Sequence, residues 1–194
     1  REFFSQKARE YSASYYSQSF KDIMNNMKPQ YLIIHHTATS RDRTTFEAVK
    51  KNHIAKGWGN IGYHFFINGK GNLYGFPQAR GQDQVGAHCR ADGMNYKSLG
   101  IALTGNFNIE DPTKEQLDIL NKLVQQLKQY WTIPKENVLG HKEVAGSQTA
   151  CPGKNLMPFI IGLREESSCE DCDKIKEELK VANNKLDKIK EIIL

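Results

Sequence analysis

The chain of 194 residues predicts an α/β fold with a mixed central β-sheet flanked by α-helices. Short apolar runs such as Tyr31-Leu32-Ile33-Ile34 and Leu99-Gly100-Ile101-Ala102-Leu103-Thr104 read as buried strands. A hairpin signal lies between Tyr63 and Phe76, and two longer stretches carry apolar residues at helical spacing. Strands and helices alternate without strict βαβ repetition, so the sheet is expected to be mixed rather than purely parallel.

In chain order, residues 1–29 come first. Phe4, Ala8, Tyr11 and Tyr15 recur at helical spacing, with Phe3, Tyr16 and Phe20 beside them, and predict an amphipathic helix that ends before Pro29. Its polar side mixes Lys, Arg, Glu, Gln and Ser, which favours packing on a domain over lying on a membrane surface. Residues 30–164 form the expected core domain. After the strand at Tyr31, Thr44 to Lys56 reads as a helix with Phe46, Val49, His53 and Ile54 on one face, followed by a turn at Gly57-Trp58-Gly59-Asn60. Tyr63-His64-Phe65-Phe66-Ile67 and Leu73-Tyr74-Gly75-Phe76 flank the turn residues Asn68 to Asn72. Leu99 to Thr104 is the next strand. Pro112-Thr113-Lys114-Glu115-Gln116 then opens a long helix, with Leu117, Leu120, Val124 and Leu127 on one stripe, running to about Trp131.

Residues 165–194 differ in texture. Cys172, Ile175, Leu179, Ala182, Leu186, Ile189 and Ile193 alternate at spacings of three and four, the register of a coiled-coil seam. The pattern leaves open whether residues 172–193 form a homo-oligomer or dock elsewhere on the same chain. Cys172 on the seam could cross-link a parallel dimer in an oxidising setting.

Composition narrows the function. Hydrophobic residues at 39% and charged residues at 25% fit a globular protein. No apolar run approaches the roughly 18 residues of a membrane span, so no transmembrane segment is expected. A net charge of +5 favours acidic partners weakly. Lys and Arg are scattered, without a basic run interleaved with aromatics, which argues against nucleic acid as the partner. Cys89, Cys151, Cys169 and Cys172 are too few for a disulfide framework in a chain of this length, and Cys169 and Cys172 have no evident partners for a closed zinc site. The chain starts at Arg1 with no secretory pattern, so any signal peptide was removed or never present, and the compartment is left open.

The chemistry sits in the core domain. His35 lies at a strand end, His141 follows Gly140, and Cys151 stands ten residues further on in Thr149-Ala150-Cys151-Pro152-Gly153. Two imidazoles and one thiolate make an open three-ligand set, the form that catalytic zinc uses while keeping a position for water. Adjacent residues on a strand face opposite ways, so only one of His35 and His36 can reach such a metal. Taken singly, each of these residues also has an ordinary structural reading.

The ordered strings Ile33 to Thr39, Gly57 to Phe65, Gly86-Ala87-His88, Leu99 to Phe107, Gly140 to Val144 and Thr149 to Gly153 resemble the type-2 N-acetylmuramoyl-L-alanine amidases, the group that includes amidase-type phage lysozymes and catalytic peptidoglycan recognition proteins. The resemblance covers about residues 30 to 160 and implies that group's α/β fold. It also implies one Zn2+ per chain on His35, His141 and Cys151, a catalytic Tyr63, and Thr149 as a neutral oxyanion donor. His36, His64, His88, Asn95 and Asn106 are the implied contacts to substrate, with Trp58 as either a groove or a packing residue. The implied reaction is hydrolysis of the bond between N-acetylmuramic acid and L-alanine in bacterial peptidoglycan, at the cell wall, by a wall-remodelling enzyme or by a phage lysin released from the cytoplasm. Some members of the group place Glu on the strand equivalent to Leu99 to Thr104; this chain has Ala102, and Glu143 reads as a solvated or structural carboxylate. Two competing classes remain at this stage: a binding module that holds peptidoglycan without cutting it, and an assembly protein that works through its terminal helices.

Overall fold

A computed structural model of the chain describes residues 28–165, so the expected N-terminal helix and the heptad segment, with Cys169 and Cys172, lie outside the described residues. Within them β1 (Tyr31–His36), α1 (Phe46–Ala55), β2 (Phe65–Ile67), β3 (Leu73–Tyr74), β4 (Ser98–Leu103), α2 (Lys114–Trp131), β5 (Val138–Gly140) and α3 (Met157–Gly162) follow in order. The strands form one sheet in the order β3-β2-β4-β1-β5. β2, β4, β1 and β5 run parallel, and β3 pairs antiparallel with β2 at the edge. The mixed sheet expected from the sequence is the one observed.

Strand alternation divides the sheet into two working faces. On one, Leu32 and Ile34 of β1 join Leu99, Ile101 and Leu103 of β4, and pack against Leu120, Leu123, Val124 and Leu127 of α2 and Ile160 of α3. On the other, Ile33 packs with Cys89, Met94 and Val144, while Ala102 and Phe66 pack with Phe46 of α1. His35 follows Ile33 on this second face, and His36 follows Ile34 on the first. The alternation of β1 therefore decides which histidine is offered to the functional face.

α2 begins at a reciprocal cap. Thr113 Oγ1 accepts from the Gln116 backbone N–H at 3.1 Å, and Gln116 Oε1 accepts from the Thr113 N–H at 3.1 Å. Gln116 Nε2 also donates to the Thr104 carbonyl at 2.9 Å, tying the helix start to the end of β4. α1 is capped by Thr45 and buries Phe46 and His53. Ile54, expected on the buried face, is 47% exposed, so the apolar stripe is narrower than its spacing implied. The hairpin forms as expected but with short strands, its turn held by Asn68 Oδ1, which accepts from the Lys70 and Asn72 N–H groups.

Candidate metal centre

Parallel pairing brings the two histidines together. Ile34 of β1 is in register with Gly140 of β5, so the residues that follow, His35 and His141, emerge side by side at the carboxyl ends of their strands. Their ring centroids lie 4.6 Å apart. Gly140 lets Met157 and Pro152 pack close against the strand end: a Cβ there would lie 2.6 Å from Met157 Sδ and 2.9 Å from Pro152 Cδ. Glu143 Oε2 accepts from the Gly140 N–H at 2.8 Å and pairs with Arg164, whose Nε donates to the Val138 carbonyl at 2.7 Å. Glu143 thus serves as a structural carboxylate holding the His141 turn, the second of the two readings its sequence context left open.

Cys151 approaches from the loop before α3. The Lys142 N–H donates to the Cys151 carbonyl at 2.7 Å, fastening this loop to the His141 turn. The result is a group in which one ligand atom from each of His35, His141 and Cys151 lies within 4.8 Å of the others. Cys151 Sγ is 3.7 Å from His35 Nδ1. Zinc with bonds of about 2.0 to 2.3 Å in a tetrahedron needs ligand atoms roughly 3.3 to 3.7 Å apart; the donor set suits that ion and the Cys151–His35 pair has that spacing, while the trio as a whole spans up to 4.8 Å.

Protonation agrees with ligation by neutral imidazoles. Burial pushes His35 well below its ordinary value, with His88, His141 and His36 acting in the same direction. Burial also lowers His141. It pushes the Cys151 thiol up to about 12, against a hydrogen bond from the His36 N–H, which reaches Sγ at 3.4 Å. Ligation through Cys151 would require loss of the thiol proton, and that N–H would then support the thiolate.

Tyr63 stands beside the trio, its ring 5.3 Å from that of His35 and 5.5 Å from that of His53. Burial raises its pKa, so the phenol keeps its proton and serves as a donor. Thr149 is exposed at the rim. Its Oγ1 accepts from the Cys151 N–H at 3.1 Å, which leaves the hydroxyl proton free to donate elsewhere. Ala102 is paired with His35 in the β1–β4 register and fully buried among Phe46, Ile61 and Phe66, so β4 brings no carboxylate to the trio.

The residues expected to touch substrate divide. His36 is buried on the opposite face of the sheet, where its Nδ1 accepts from the Phe107 N–H at 3.1 Å. His64 is fully buried, and both ring nitrogens are used: Nδ1 accepts from the Gly100 N–H at 2.9 Å and Nε2 donates to the Gln84 carbonyl at 2.8 Å. With both nitrogens taken and no exposed surface, His64 presents no polar atom to a groove, which corrects the expectation of substrate contact for it, whereas His36 has only Nδ1 engaged. Asn95 is turned inward, its Oδ1 accepting from the His88 and Cys89 N–H groups at 2.8 Å each. His88, half-buried, lies edge-on against His35, with His88 Nδ1 3.1 Å from His35 Nε2. Asn106 is half-buried in the loop after β4, with Oδ1 accepting from the Asn108 N–H at 3.3 Å.

Sequence reasoning missed His53 as a support for Tyr63. Its Nδ1 accepts from the Gly62 N–H at 3.0 Å, and its ring packs against Trp58 at 4.6 Å. The available signal was its place on the buried face of α1 together with a nitrogen that has to be satisfied. Trp58 sits over that ring at the surface, 37% exposed.

A family profile described as N-acetylmuramoyl-L-alanine amidase matches residues 25–154. Peptidoglycan-recognition protein SC2 of Drosophila melanogaster is 34% identical over 134 residues, which is 65% of this chain and 69% of that one. Among solved structures, the endolysin N-acetylmuramoyl-L-alanine amidase LysCS from Clostridium intestinale URNW is similar at a TM-score of 0.63 and 33% identity, over 73% of this chain and 87% of that one. A mutant of Drosophila PGRP-LB in complex with tracheal cytotoxin is similar at a TM-score of 0.58 and 32% identity, over 68% of this chain and 79% of that one.

Proposed function

This chain belongs to the N-acetylmuramoyl-L-alanine amidase family, and from that premise we propose that it hydrolyses the amide between N-acetylmuramic acid and L-alanine in bacterial peptidoglycan, using one Zn2+ on His35, His141 and Cys151. The observation that carries the reading is the convergence of those three ligand atoms within 4.8 Å, Cys151 included. Residues 30–164 are the catalytic unit in this reading, and its place of action is the bacterial cell wall.

When bound, zinc supplies Lewis acidity and makes a water molecule nucleophilic near neutral pH. The chain's own groups do the rest. His35, His141 and Cys151 would hold the ion through three ligands, with Tyr63 packed against His35 and Thr149 beside Cys151. Tyr63, a phenol whose pKa burial raises further above neutral pH, keeps its proton and donates to the oxygen on which charge develops as the amide carbonyl is attacked. The Thr149 hydroxyl, its oxygen already engaged by the Cys151 N–H, adds a second neutral donor. Ala102 offers no base, so this site works with neutral donors and water rather than with a carboxylate from β4. Asn106 remains the candidate for substrate contact at the end of that strand.

Some similar proteins are named for recognition, so binding without cleavage is the reading to exclude. Mass spectrometry of muropeptides after digestion with zinc-loaded protein is expected to find free L-alanine amino ends and glycan without stem peptide. Protein that pellets with peptidoglycan but releases no such ends would support the binding module. Cys151→Ala is expected to lose both zinc and turnover, and retained turnover would overturn the ligand assignment.

A further inference from the structure

The face of His35 turned away from the metal position meets a second histidine in a slot built for it. His35 Nδ1 is the atom near Cys151, and His35 Nε2 lies 3.1 Å from His88 Nδ1. The two rings meet edge to face at 5.1 Å. We propose that His88 is a positioning residue for the metal centre, a neutral imidazole whose Nδ1 accepts from the His35 Nε2–H and so fixes the Nδ1-ligating tautomer of His35. The proposal rests on the ligand assignment above and extends it to a residue that the sequence placed in the substrate groove.

The tautomers follow from one constraint. A ligating Nδ1 carries no proton, so the His35 proton sits on Nε2 and must be given to an acceptor. The nearest acceptor is His88 Nδ1, which in turn places the His88 proton on Nε2. That Nε2 is withdrawn from solvent and has no well-formed hydrogen bond. The arrangement is held in place by the backbone around it. Asn95 Oδ1 fixes both N–H groups of the His88-Cys89 peptide pair, and the Gly86 N–H donates to the Asn95 carbonyl at 2.9 Å. A Cβ on Gly100 would lie 2.5 Å from His88 Cγ, and a Cβ on Gly86 would collide with the same ring. One strand position and one loop position, Gly100 and Gly86, are thus kept without a side chain so that the imidazole can lie against His35. His64 closes the far side, its ring 5.6 Å from that of His88.

The chemical consequence distinguishes this site from one in which a carboxylate stands behind the ligand. A carboxylate would draw the Nε2 proton strongly and make His35 a more basic, more electron-rich ligand. A neutral imidazole orients the ring while donating less charge, which keeps the bound ion a stronger Lewis acid.

The test uses the full chain and zinc itself. Competition with a chromophoric chelator is expected to show zinc bound about 10- to 100-fold more weakly by His88→Ala than by wild type. His88→Asn, whose amide oxygen stands as far from Cβ as Nδ1 does, is expected to recover most of that loss, whereas a residue needed only for bulk would not be rescued by a smaller amide. Cobalt in place of zinc should give a visible spectrum altered in His88→Ala and restored in His88→Asn. Wild-type zinc affinity and cobalt spectrum in His88→Ala, with a raised KM for muropeptide, would return His88 to the groove and overturn the proposal. Wild-type protein that binds no zinc would instead refute the ligand assignment beneath it. If His88→Ala does not fold, nitrogen NMR of histidine-labelled, zinc-loaded wild type decides: a protonated His35 Nε2 with an unprotonated His88 Nδ1 is expected, and a protonated His35 Nδ1 overturns the proposal.

Discussion

At the scale of single residues, the site combines groups that must stay neutral with one group that must lose a proton. Tyr63 illustrates the first kind. Its burial holds the phenol protonated, and its ring packs between His35 and His53. Tyr63→Phe preserves that packing and removes only the donor. It should lower kcat by about 10²-fold with zinc affinity unchanged; a variant of near wild-type kcat would remove Tyr63 from the chemistry. His64 illustrates a structural case with a pH signature. Because Nδ1 already accepts from the Gly100 N–H, a second proton on the ring would face a donor, and burial lowers its pKa from 6.5 to about 4. Between those values the unfolded chain binds more protons than the folded one, so stability rises with pH through this window. The contribution is complete above pH 6.5 and is lost progressively as pH falls towards 4, on the order of 3 kcal/mol in total. His53 is shifted the same way to about 4 but lies nearer to solvent, and it adds less. Histidine NMR should find His64 neutral with its proton on Nε2 at pH 5.5, and an ordinary titration near 6.5 would contradict the buried geometry.

At the scale of elements, legibility followed length and periodicity. The long helix α2 was readable because its stripe of Leu117, Leu120, Val124 and Leu127 is sustained and its capping residues, Thr113 and Gln116, are themselves sequence signals. β1 and β4 were readable as apolar runs. β5 and α3 were not expected: three and six residues are too short for a period to be seen. Yet β5 is the strand that delivers His141, so only the motifs around His35 and His141 could suggest their convergence, and no apolar periodicity marked it. The strand rule that one of His35 and His36 must face away was physical and sufficient; which one faced the metal came from resemblance. His64 was misplaced for a related reason, since a histidine within a motif looks the same in sequence whether its nitrogens serve a ligand or the backbone. The cap of α2 gives a prediction at this scale. Thr113→Ala removes the acceptor for the Gln116 N–H on the sheet face opposite the one that carries His35, and should cost about 1 kcal/mol in denaturant unfolding without changing zinc affinity. A much larger loss, or a loss of zinc, would show that the Gln116 to Thr104 bond transmits the helix start to β4.

At the scale of the whole molecule, the question is what the terminal segments add. The metal trio, Tyr63, Thr149 and the buried clusters that support them on both sheet faces all lie within residues 28–165. A sheet covered on one face by α2 and α3, and on the other by α1 and the loops carrying Cys89 and Met94, has the layered form that an independently folding unit requires. Chain reduced to residues 28–165 is therefore expected to bind one zinc ion and to release L-alanine ends from soluble muropeptides at the rate of the full chain. The same comparison on intact cell walls separates chemistry from delivery. Equal rates on fragments with a slower rate on walls would assign residues 1–27 and 166–194 to placing the enzyme on its polymer. Loss of turnover on fragments as well would mean that the terminal segments complete the site itself, and the catalytic unit would then have to be redrawn to include them.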